Sequence, residues 1–354
     1  MSPLGIVQDI CTVVQKQLMP EVPKRWSKQV DFGVKAYALR SFASAGSNAR
    51  KVVENTASTK ADRLLANLKL ARHLGTVFDV LGLVRPDSFV NIDHTDMNGL
   101  MALAGAVQTR RGRAIPCMVE TTYSDRLPSH ADAPPRKKAL RRNRAHERAG
   151  LGLTEHTIRS LQAFAKRLGF WPKFVFDRGF CAKEIIRLLC RHEATFYMRM
   201  KADRLVELAG AVTVTKALRG HDNTIRLYDY TLRVVRSRKP KGGEPWCILT
   251  NDLISTTKRV LRFYRHRFEI KETFKDMKHI FELKHTRLNR PTSLKFILWL
   301  VSIGIALLYL VTKDCITDER QHNPKKWRSW IRMGYEQLER TYTMMFWGTA
   351  TDEV

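Results

Sequence analysis

The sequence has few acidic residues for its number of basic ones, and this is its largest departure from an average composition. Its 354 residues include 34 Asp and Glu against 62 Lys and Arg, which gives a net charge of +28. Such a surface repels itself in the compact state, and a polyanion such as nucleic acid relieves that repulsion. A membrane surface is the rival partner.

Paired cysteines are also missing from the sequence. None of the six cysteines belongs to a C-x-x-C pair, and none forms a cluster with histidines at zinc-finger spacing. We therefore expect free thiols in a reducing compartment, rather than a disulfide framework or a structural zinc site. The first residues have Asp9 within their apolar part and no basic segment before it, so we expect no signal peptide.

A long uninterrupted apolar run is the third absence. The most apolar run, FILWLVSIGIALLYLV at Phe296–Val311, has sixteen residues, whereas about 20 are needed to span a bilayer. A buried core helix is the preferred interpretation and a membrane helix is the alternative. We therefore expect no membrane partner.

The pattern of the sequence changes near Pro86. Before it, apolar residues recur at helical spacing, which predicts a helical part that is either a small DNA-binding unit or a cap on the main domain. After it, three apolar runs predict three strands, and the last two are joined by a hairpin turn at QTRRGR. These three runs are DSFVNIDHTD, GLMALAGAV and RAIPCMVETTYS.

The order of the elements that follow predicts an α/β core. A helix, the strand KFVF, a second helix and the strand ATFYMRMK come next, then a β-rich segment and further helices. Strand runs that are nearly all apolar indicate a sheet covered on both faces. The predicted parts are a helical part at 1–84, a core at 85–204, a β-rich insertion at 205–250, the rest of the core at 251–314, and a helical part at 315–354.

Two aspartates are predicted at the ends of core strands. Asp93 ends the first strand of the core and Asp177 ends the fourth. Open α/β sheets place their sites at strand ends, so neighbouring strands would bring the two carboxylates together. Hard oxygen ligands of this kind suit Mg²⁺ or Mn²⁺. For either aspartate alone, the alternative is a turn residue that binds a backbone N–H.

The segment FYRHRFEIKETFKDMKH, residues 263–279, predicts a helix with two distinct faces. One face is apolar and is expected in the core. The adjoining stripe has one tyrosine and four cations, which together could bind a row of phosphates, and a solvated face is the alternative. The apolar face consists of Phe263, Ile270, Phe274, Met277 and Phe281, and the stripe consists of Tyr264, Arg267, Lys271, Lys275 and Lys278.

Other basic segments are candidates for DNA contact. Residues 134–150, PPRKKALRRNRAHERAG, have seven cations and one acid, which favours a segment that contacts phosphates over a solvated loop. The C-terminal segment PKKWRSWIRMGYEQLER is also basic. Its Trp327 and Trp330 either belong to that DNA contact or pack a terminal helix or a dimer contact. Arg178, next to Asp177, is a predicted DNA contact as well.

Three of these motifs together resemble those of DDE transposases from bacterial insertion sequences. VNIDHTD resembles the strand of the family's first aspartate, and FVFDRGF matches its second-aspartate motif. Tyr264, Arg267 and Lys278 stand at the spacing of a Tyr–Arg–Glu–Lys signature, which is typical of one subgroup, the insertion-sequence-four family. The resemblance runs from about Asp87 to Leu310.

This resemblance implies an RNase H-like core, a mixed sheet flanked by helices, with a β-rich insertion before the signature helix. It implies a triad of two aspartates and a glutamate that holds two Mg²⁺ or Mn²⁺ ions, and cut-and-paste movement of the element's own DNA. It also places Trp246 where the family has a tryptophan that stacks on a flipped base. A core side chain is the alternative for Trp246.

One position departs from the family's pattern. The signature glutamate is expected four residues after Arg267, where this chain has Lys271. Glu272 follows one residue later, about 100° further around the helix. Either Glu272 is the third metal ligand on a rotated or distorted helix, which we favour, or the acid is lost and the chain binds DNA with little or no cutting. Glu269 points further away and is a poorer third ligand.

The resemblance therefore predicts a DNA transposase whose triad is Asp93, Asp177 and Glu272. Its partners would be double-stranded DNA, namely the element's terminal inverted repeats and the target, and a second copy in a synaptic homodimer. Its location would be the bacterial cytoplasm, in association with the nucleoid. Two alternatives stay open: a catalytically inactive DNA-binding protein descended from a transposase, and an RNase H-fold nuclease without strand transfer.

Overall fold

The computed structural model of the protein is a mixed α/β arrangement of helices and strands. It describes residues 68–97, 100–123, 152–218, 220–238, 244–281, 283, 290–312 and 330–331. Most of the predicted N-terminal helical part, the basic run at 134–150 and Trp327 lie outside the described residues. The chain forms two compact units.

The helices and strands of the described residues follow in chain order. The helices are α1 (Leu68–Asp79), α2 (Leu153–Leu168), α3 (Lys183–Arg191), α4 (Thr257–Arg265), α5 (Phe268–His279) and α6 (Pro291–Thr312). The strands are β1 (Phe89–Met97), β2 (Leu100–Gln108), β3 (Ala114–Tyr123), β4 (Lys173–Phe176), β5 (Phe196–Arg199), β6 (Leu205–Leu208), β7 (Ala211–Val214), β8 (Asp222–Leu227), β9 (Tyr230–Arg236) and β10 (Cys247–Thr250).

One unit, called the strand-rich unit, contains Arg85–Asp93 and the described part of Ser124–Arg267. Its strands lie in the order β1-β4-β5-β10-β9-β8-β6-β7. The pairs β1/β4 and β4/β5 are parallel, and the remaining pairs along this order are antiparallel. The sheet is therefore mixed.

The parallel strands of this unit consist mainly of buried apolar residues. Phe174, Val175 and Phe176 of β4 are all fully buried, as expected for a strand covered on both faces. A parallel connection needs a crossover, and α3 supplies it between β4 and β5. Its apolar side, which includes Ile186 and Leu189, is buried as well.

The prediction of strands at 205–250 is confirmed. Four of them, β6 to β9, lie within residues 205–236. The fifth, β10, pairs with both β5 and β9, and its four residues are all buried. β10 therefore lies between the parallel strands β4 and β5 on one side and the antiparallel strands β6 to β9 on the other.

The other unit, called the hairpin unit, contains His94–Tyr123 and the described residues before 85 and after 267. β2 and β3 form the predicted antiparallel hairpin, whose last pair is Gln108 with Ala114. Helix α6 packs against β3, β2 and α1. Trp330 is buried and contacts Tyr309 of α6 edge-on, with ring centroids 5.3 Å apart, which agrees with the packing alternative for this residue.

Helix α6 contains the most apolar run of the chain. Its Pro291–Leu310 part is long and apolar enough to cross a membrane, judged by length and composition alone. Within the protein, 89% of its most apolar window is buried. Such burial is typical of a core helix, which is the preferred interpretation of this apolar run.

Candidate functional site

Asp93 and Asp177 occupy equivalent positions on two neighbouring parallel strands. Ile92 of β1 pairs with Phe176 of β4 in the last step of their register, and each aspartate is the next residue. The prediction that Asp93 ends its strand is wrong, because β1 continues to Met97. The parallel pairing nevertheless stops before Asp93, so both carboxylates come from the same end of the paired segment.

The Arg267 guanidinium joins the two aspartates. Its Nη1 atom lies 3.6 Å from Asp93 Oδ2 and 3.5 Å from Asp177 Oδ2. Arg267 is 2% exposed and Asp93 is 8% exposed, so water screens these charges weakly. The predicted convergence of Asp93 and Asp177 is therefore present, and a cation lies between them.

Asp177 also begins the short 3₁₀ helix Arg178–Phe180. Its Oδ1 atom accepts a hydrogen bond from the Arg178 backbone N–H at 2.8 Å. Its other oxygen, Oδ2, contacts Arg267. Asp177 thus acts as a turn residue and also takes part in the ion pair. The hydrogen bond in the turn fixes the direction of its carboxylate.

A break in the predicted helix places Arg267 beside the aspartates. Helix α4 ends at Arg265 and α5 begins at Phe268, so the prediction of one uninterrupted helix is wrong. The Asn91 side chain donates a hydrogen bond from Nδ2 to the His266 carbonyl oxygen at 3.1 Å. A side chain bound to a helical carbonyl is a known cause of a break in a helix. Asn91 therefore has a positioning role that the sequence analysis missed.

The break also divides the predicted phosphate-binding stripe. Tyr264 and Arg267 are buried, whereas Lys271 and Lys275 are exposed and Lys278 is half-buried. The prediction that these residues form one uniform stripe is therefore wrong, because it assumed a rotation of 100° per residue through the break. The predicted apolar face is confirmed, since all five of its side chains are buried.

Tyr264 packs in the core of the strand-rich unit beside Trp246. Their ring centroids are 5.4 Å apart at 67°, and Tyr264 belongs to a buried cluster with Phe89, Tyr197 and Phe263. Burial raises the pKa of Tyr264 to about 12. Trp246 is only half-buried. Trp246 thus packs against a core side chain, as its alternative interpretation has it, and its stacking on a base stays a prediction.

A basic cavity adjoins the residue that follows Asp177. Arg178 is exposed and lines a cavity of about 390 Å³ in the strand-rich unit. Four cations and two acids lie in its wall, and this excess of positive charge suits an anionic ligand such as phosphate. These six residues are Arg178, Arg199, Lys201, Lys216, Asp203 and Glu244. The DNA contact of Arg178 stays a prediction.

In the hairpin unit, the buried carboxylate of Glu269 binds the turn between β2 and β3. Its Oε2 atom accepts hydrogen bonds from the backbone N–H groups of Thr109 at 3.0 Å and Arg110 at 3.3 Å. Its Oε1 atom accepts one from Gly112 at 3.4 Å. Successive N–H groups of a turn that point at one anion form a nest. Glu269 is therefore a structural anchor, which agrees with its low rank as a metal ligand.

Two further residues of α5 attach it to the same hairpin. Thr273 Oγ1 accepts a hydrogen bond from Ala114 N at 3.0 Å, and Asp276 Oδ2 accepts one from Arg113 Nε at 2.5 Å. Together with Glu269 they stand at steps of four and three residues, which is one face of a helix. These contacts fix the rotation of α5 about its axis. These contacts were not predicted, although this spacing of polar residues was visible in the sequence.

Glu272 lies on α5 with a partly accessible side chain, 38% exposed. Lys275 Nζ donates a hydrogen bond to its Oε1 atom at 2.6 Å, and Arg113 Nη2 lies 3.9 Å from its Oε2 atom. Among the described residues, no group of three or more His, Cys, Asp and Glu side chains is close enough to hold a metal ion. Glu272 as the third ligand stays a prediction.

Lys278, at the end of α5, has a perturbed ammonium group. Burial lowers the pKa of Lys278, and the charge of Asp96 partly opposes this shift. The role of Lys278 in DNA binding stays a prediction, as do the roles of Lys271 and Lys275.

The aspartate pair fits a divalent metal ion in its chemistry. Asp93 and Asp177 offer hard carboxylate oxygens from adjacent strands, which Mg²⁺ and Mn²⁺ prefer. Both carboxylates already lie within 4 Å of one positively charged atom, Arg267 Nη1. In the described residues, the cation that the pair shares is the Arg267 guanidinium.

Comparison with known families finds a similarity to transposases. Residues 137–308 match the family model of the transposase DDE domain, a range that includes Asp177 and Glu272 and begins after Asp93. The chain is similar to a solved structure described as a cryo-EM structure of a piggyBac transposase synaptic complex with hairpin DNA. That similarity has 11% identity and a TM-score of 0.39, and it covers 76% of this chain and 55% of that chain. No curated protein matches the chain. The family match supports a transposase.

Proposed function

We propose that this chain is a metal-dependent DDE transposase with an RNase H-like core, which cuts and pastes the DNA of its own insertion sequence. The observation that carries the proposal is the convergence of Asp93 and Asp177 on Arg267. It occurs in a chain whose residues 137–308 match the transposase DDE domain. The insertion-sequence-four subgroup is proposed on the spacing of Tyr264, Arg267 and Lys278.

Asp93, Asp177 and Glu272 would hold two Mg²⁺ or Mn²⁺ ions. When bound, such ions activate a water molecule and stabilise the leaving oxygen of a phosphodiester. Two aspartates leave two divalent ions under-neutralised, which favours a third acid nearby, whereas Lys271 would add charge of the wrong sign. Glu272 is the most accessible acid of α5, because Glu269 is bound to the hairpin turn and Asp276 is bound to Arg113.

Arg267 has a different role in this proposal. By sharing Nη1 between Asp93 and Asp177, it holds two like charges close together that would otherwise repel. A guanidinium beside these carboxylates also places a positive charge where a scissile phosphate would bind. Arg267 thus holds the two aspartates together and supplies positive charge for the substrate.

Further DNA contacts are proposed for exposed and half-buried cations and for one aromatic residue. Lys271, Lys275 and Lys278 of α5 and Arg178 would contact phosphates, and Trp246 would stack on an unpaired base. The partners would be the terminal inverted repeats, the target DNA and a second copy in a synaptic complex. The location would be the nucleoid in the bacterial cytoplasm.

A second candidate function is that of a DNA-binding protein that no longer cuts. It is favoured by Lys271, which stands where the family's signature has its glutamate. It is also favoured by the contacts of Glu272, whose two oxygens lie near Lys275 and Arg113. If these contacts are kept on DNA, the chain would bind element ends without cleaving them.

Nicking of the native element's end in Mg²⁺ or Mn²⁺ separates the two functions. Wild type, Glu272→Ala and Lys271→Glu are compared on the same labelled DNA. Cutting by wild type and not by Glu272→Ala supports Glu272 as the third acid. An inert wild type that regains cutting through Lys271→Glu supports the DNA-binding function. Products joined to a target plasmid distinguish a transposase from an RNase H-fold nuclease.

A further inference from the structure

Helix α4 carries a row of exposed cations that the proposed function does not use. Lys258, Arg262 and Arg265 are all exposed, and their spacing of four and three residues puts them on one face. The opposite side, with Val260 and Phe263, is buried in the core of the strand-rich unit. In the part of the chain that the structure describes, none of the three cations is in an ion pair.

The charge of this face is only partly explained by the stability of the helix. Cations near a helix C-terminus are favourable, which accounts for Arg262 and Arg265 in the last turn. Lys258 lies in the first turn, where a cation is unfavourable. The helix has no acidic residue. An external anion would stabilise all three cations together.

An apolar tip directly precedes this helix. Leu253 is 53% exposed and Ile254 is 95% exposed, although exposed apolar side chains next to each other are costly in water. Both belong to the loop between β10 and α4. The tip and the cations are thus consecutive features of one short segment.

The tip is held by hydrogen bonds rather than left as a loose loop. Asp252 Oδ1 accepts from the backbone N–H groups of Ile254 at 3.1 Å and Ser255 at 2.9 Å. The Tyr197 hydroxyl donates to Asp252 Oδ2 at 2.6 Å, and Arg233 donates to the Asp252 and Ser255 carbonyl oxygens. The backbone of the tip is therefore fixed before binding, so binding orders little further backbone.

We propose that this surface, called the α4 surface and made of Leu253, Ile254, Lys258, Arg262 and Arg265, binds duplex DNA, an inference that rests on the proposed function. The three cations contact phosphates of one strand. The tip packs against sugar and base edges in the adjoining groove, as apolar wedges do in other DNA-binding proteins. This contact adds to those on α5 and at Arg178.

A second copy of the chain is a weaker occupant for the same surface. A self-complementary contact would put the cationic faces of two α4 helices against each other. Each chain has a net charge of +28, so this contact would be repulsive. Two apolar side chains bury too little area to offset such repulsion. Charge complementarity therefore selects DNA.

Binding of the full-length chain to a fluorescein-labelled duplex of mixed sequence, measured by anisotropy over a series of salt concentrations, tests the inference. The triple variant Lys258→Gln, Arg262→Gln, Arg265→Gln is expected to lower the slope of log K against log salt by about 3. Ile254→Ser is expected to weaken binding about tenfold at every salt concentration. Its slope should be that of wild type.

A matched control removes three exposed cations from other helices of the same unit. Lys166→Gln, Lys183→Gln, Arg191→Gln has the same change in net charge, and its slope is expected to change by less than about 1. Equal slopes for wild type and the α4 variant, or equal losses in both triple variants, would overturn the inference. So would an Ile254→Ser variant that binds DNA normally but loses a dimer of the protein alone in sedimentation.

Cutting of the native element's end by wild type is measured in parallel. A wild type that cuts DNA and has the same salt slope as the α4 variant would overturn the α4 surface and leave the proposed function intact. A wild type that does not bind duplex DNA at all would overturn both.

Discussion

Arg267 contacts Asp177 with its Nη1 atom 3.5 Å from Oδ2, and the same nitrogen lies 3.6 Å from Asp93. Two strand positions and one helix break, far apart in the sequence, produce this cluster. The paired segments of β1 and β4 place the carboxylates, and the Asn91 contact with His266 accompanies the break that places the arginine. Each charge in the cluster depends on the others, because a buried charge without a partner is strongly destabilising.

Replacing Arg267 by Gln is expected to destabilise the protein by about 3 kcal/mol in EDTA, because Asp93 and Asp177 lose their shared cation. Denaturant unfolding measures the loss. Mn²⁺ is expected to restore part of it, since an ion bound only by the folded state stabilises that state. Arg267→Lys keeps the charge and should lose clearly less. Equal losses for the Gln and Lys variants would contradict the electrostatic role.

Glu269 and Glu272 are expected to differ sharply in their effects on stability. Glu269→Ala leaves three N–H groups of the hairpin turn without their acceptor, and should cost about 2–3 kcal/mol. Glu272→Ala removes partly exposed contacts, and should change stability by less than about 1 kcal/mol. Urea unfolding compares the two variants. Equal destabilisation would show that Glu272 is also an anchor.

Tyr264 is expected to make the protein less stable in strong alkali. Burial raises its pKa from 10.0 to about 12. Between these pH values the unfolded state releases the phenol proton while the folded state keeps it, so stability falls as pH rises. The loss for this group is about 2 kcal/mol by pH 12.

The comparison that isolates Tyr264 is Tyr264→Phe against wild type at matched pH. Below pH 10 the difference in unfolding free energy between the two proteins should be constant. Above it, the wild type should lose stability relative to the Phe variant, because Phe does not titrate. A difference that stays constant up to pH 12 would mean that the Tyr264 pKa is not raised.

Asn91 is expected to act as a positioning residue for Arg267. Asn91→Ala removes the hydrogen bond to the His266 carbonyl oxygen, and should cost about 1–2 kcal/mol of stability. The cleavage rate at saturating DNA should fall, while the affinity for DNA stays the same, because Asn91 itself is fully buried. An unchanged cleavage rate would mean that the break between α4 and α5 does not depend on this contact.

Much of the fold follows from local patterns in the sequence. The apolar runs of β2, β3 and β4 and the turn residues between β2 and β3 predict their strands and hairpin, because burial and turn chemistry are local properties. The convergence of Asp93 and Asp177 was also predictable, since equivalent positions on parallel strands meet at one edge of a sheet. The end of β1 was not predictable in this way. Its last residues alternate between buried and accessible positions, and their polar side chains are typical of a loop.

The arrangement of the site depends on contacts that a local pattern does not contain. Asn91 and His266 are 175 residues apart, and Thr109 and Glu269 are 160 apart. A helical wheel drawn through 263–279 assumes one continuous helix, so it predicted one stripe for residues that the structure separates by burial. The available signal was Asn91 itself, a polar residue inside an apolar strand run, which needs a hydrogen-bond partner when buried.

Mn²⁺-dependent nicking of the native element's end by Asp93→Asn and Asp177→Asn tests the central claim most directly. Asp229→Asn is the matched control, because Asp229 is an exposed acid in the same unit that pairs with Arg187. The account predicts that wild type and Asp229→Asn nick the DNA, whereas Asp93→Asn and Asp177→Asn bind it without nicking. Nicking at the wild-type rate by either of these two variants would contradict it.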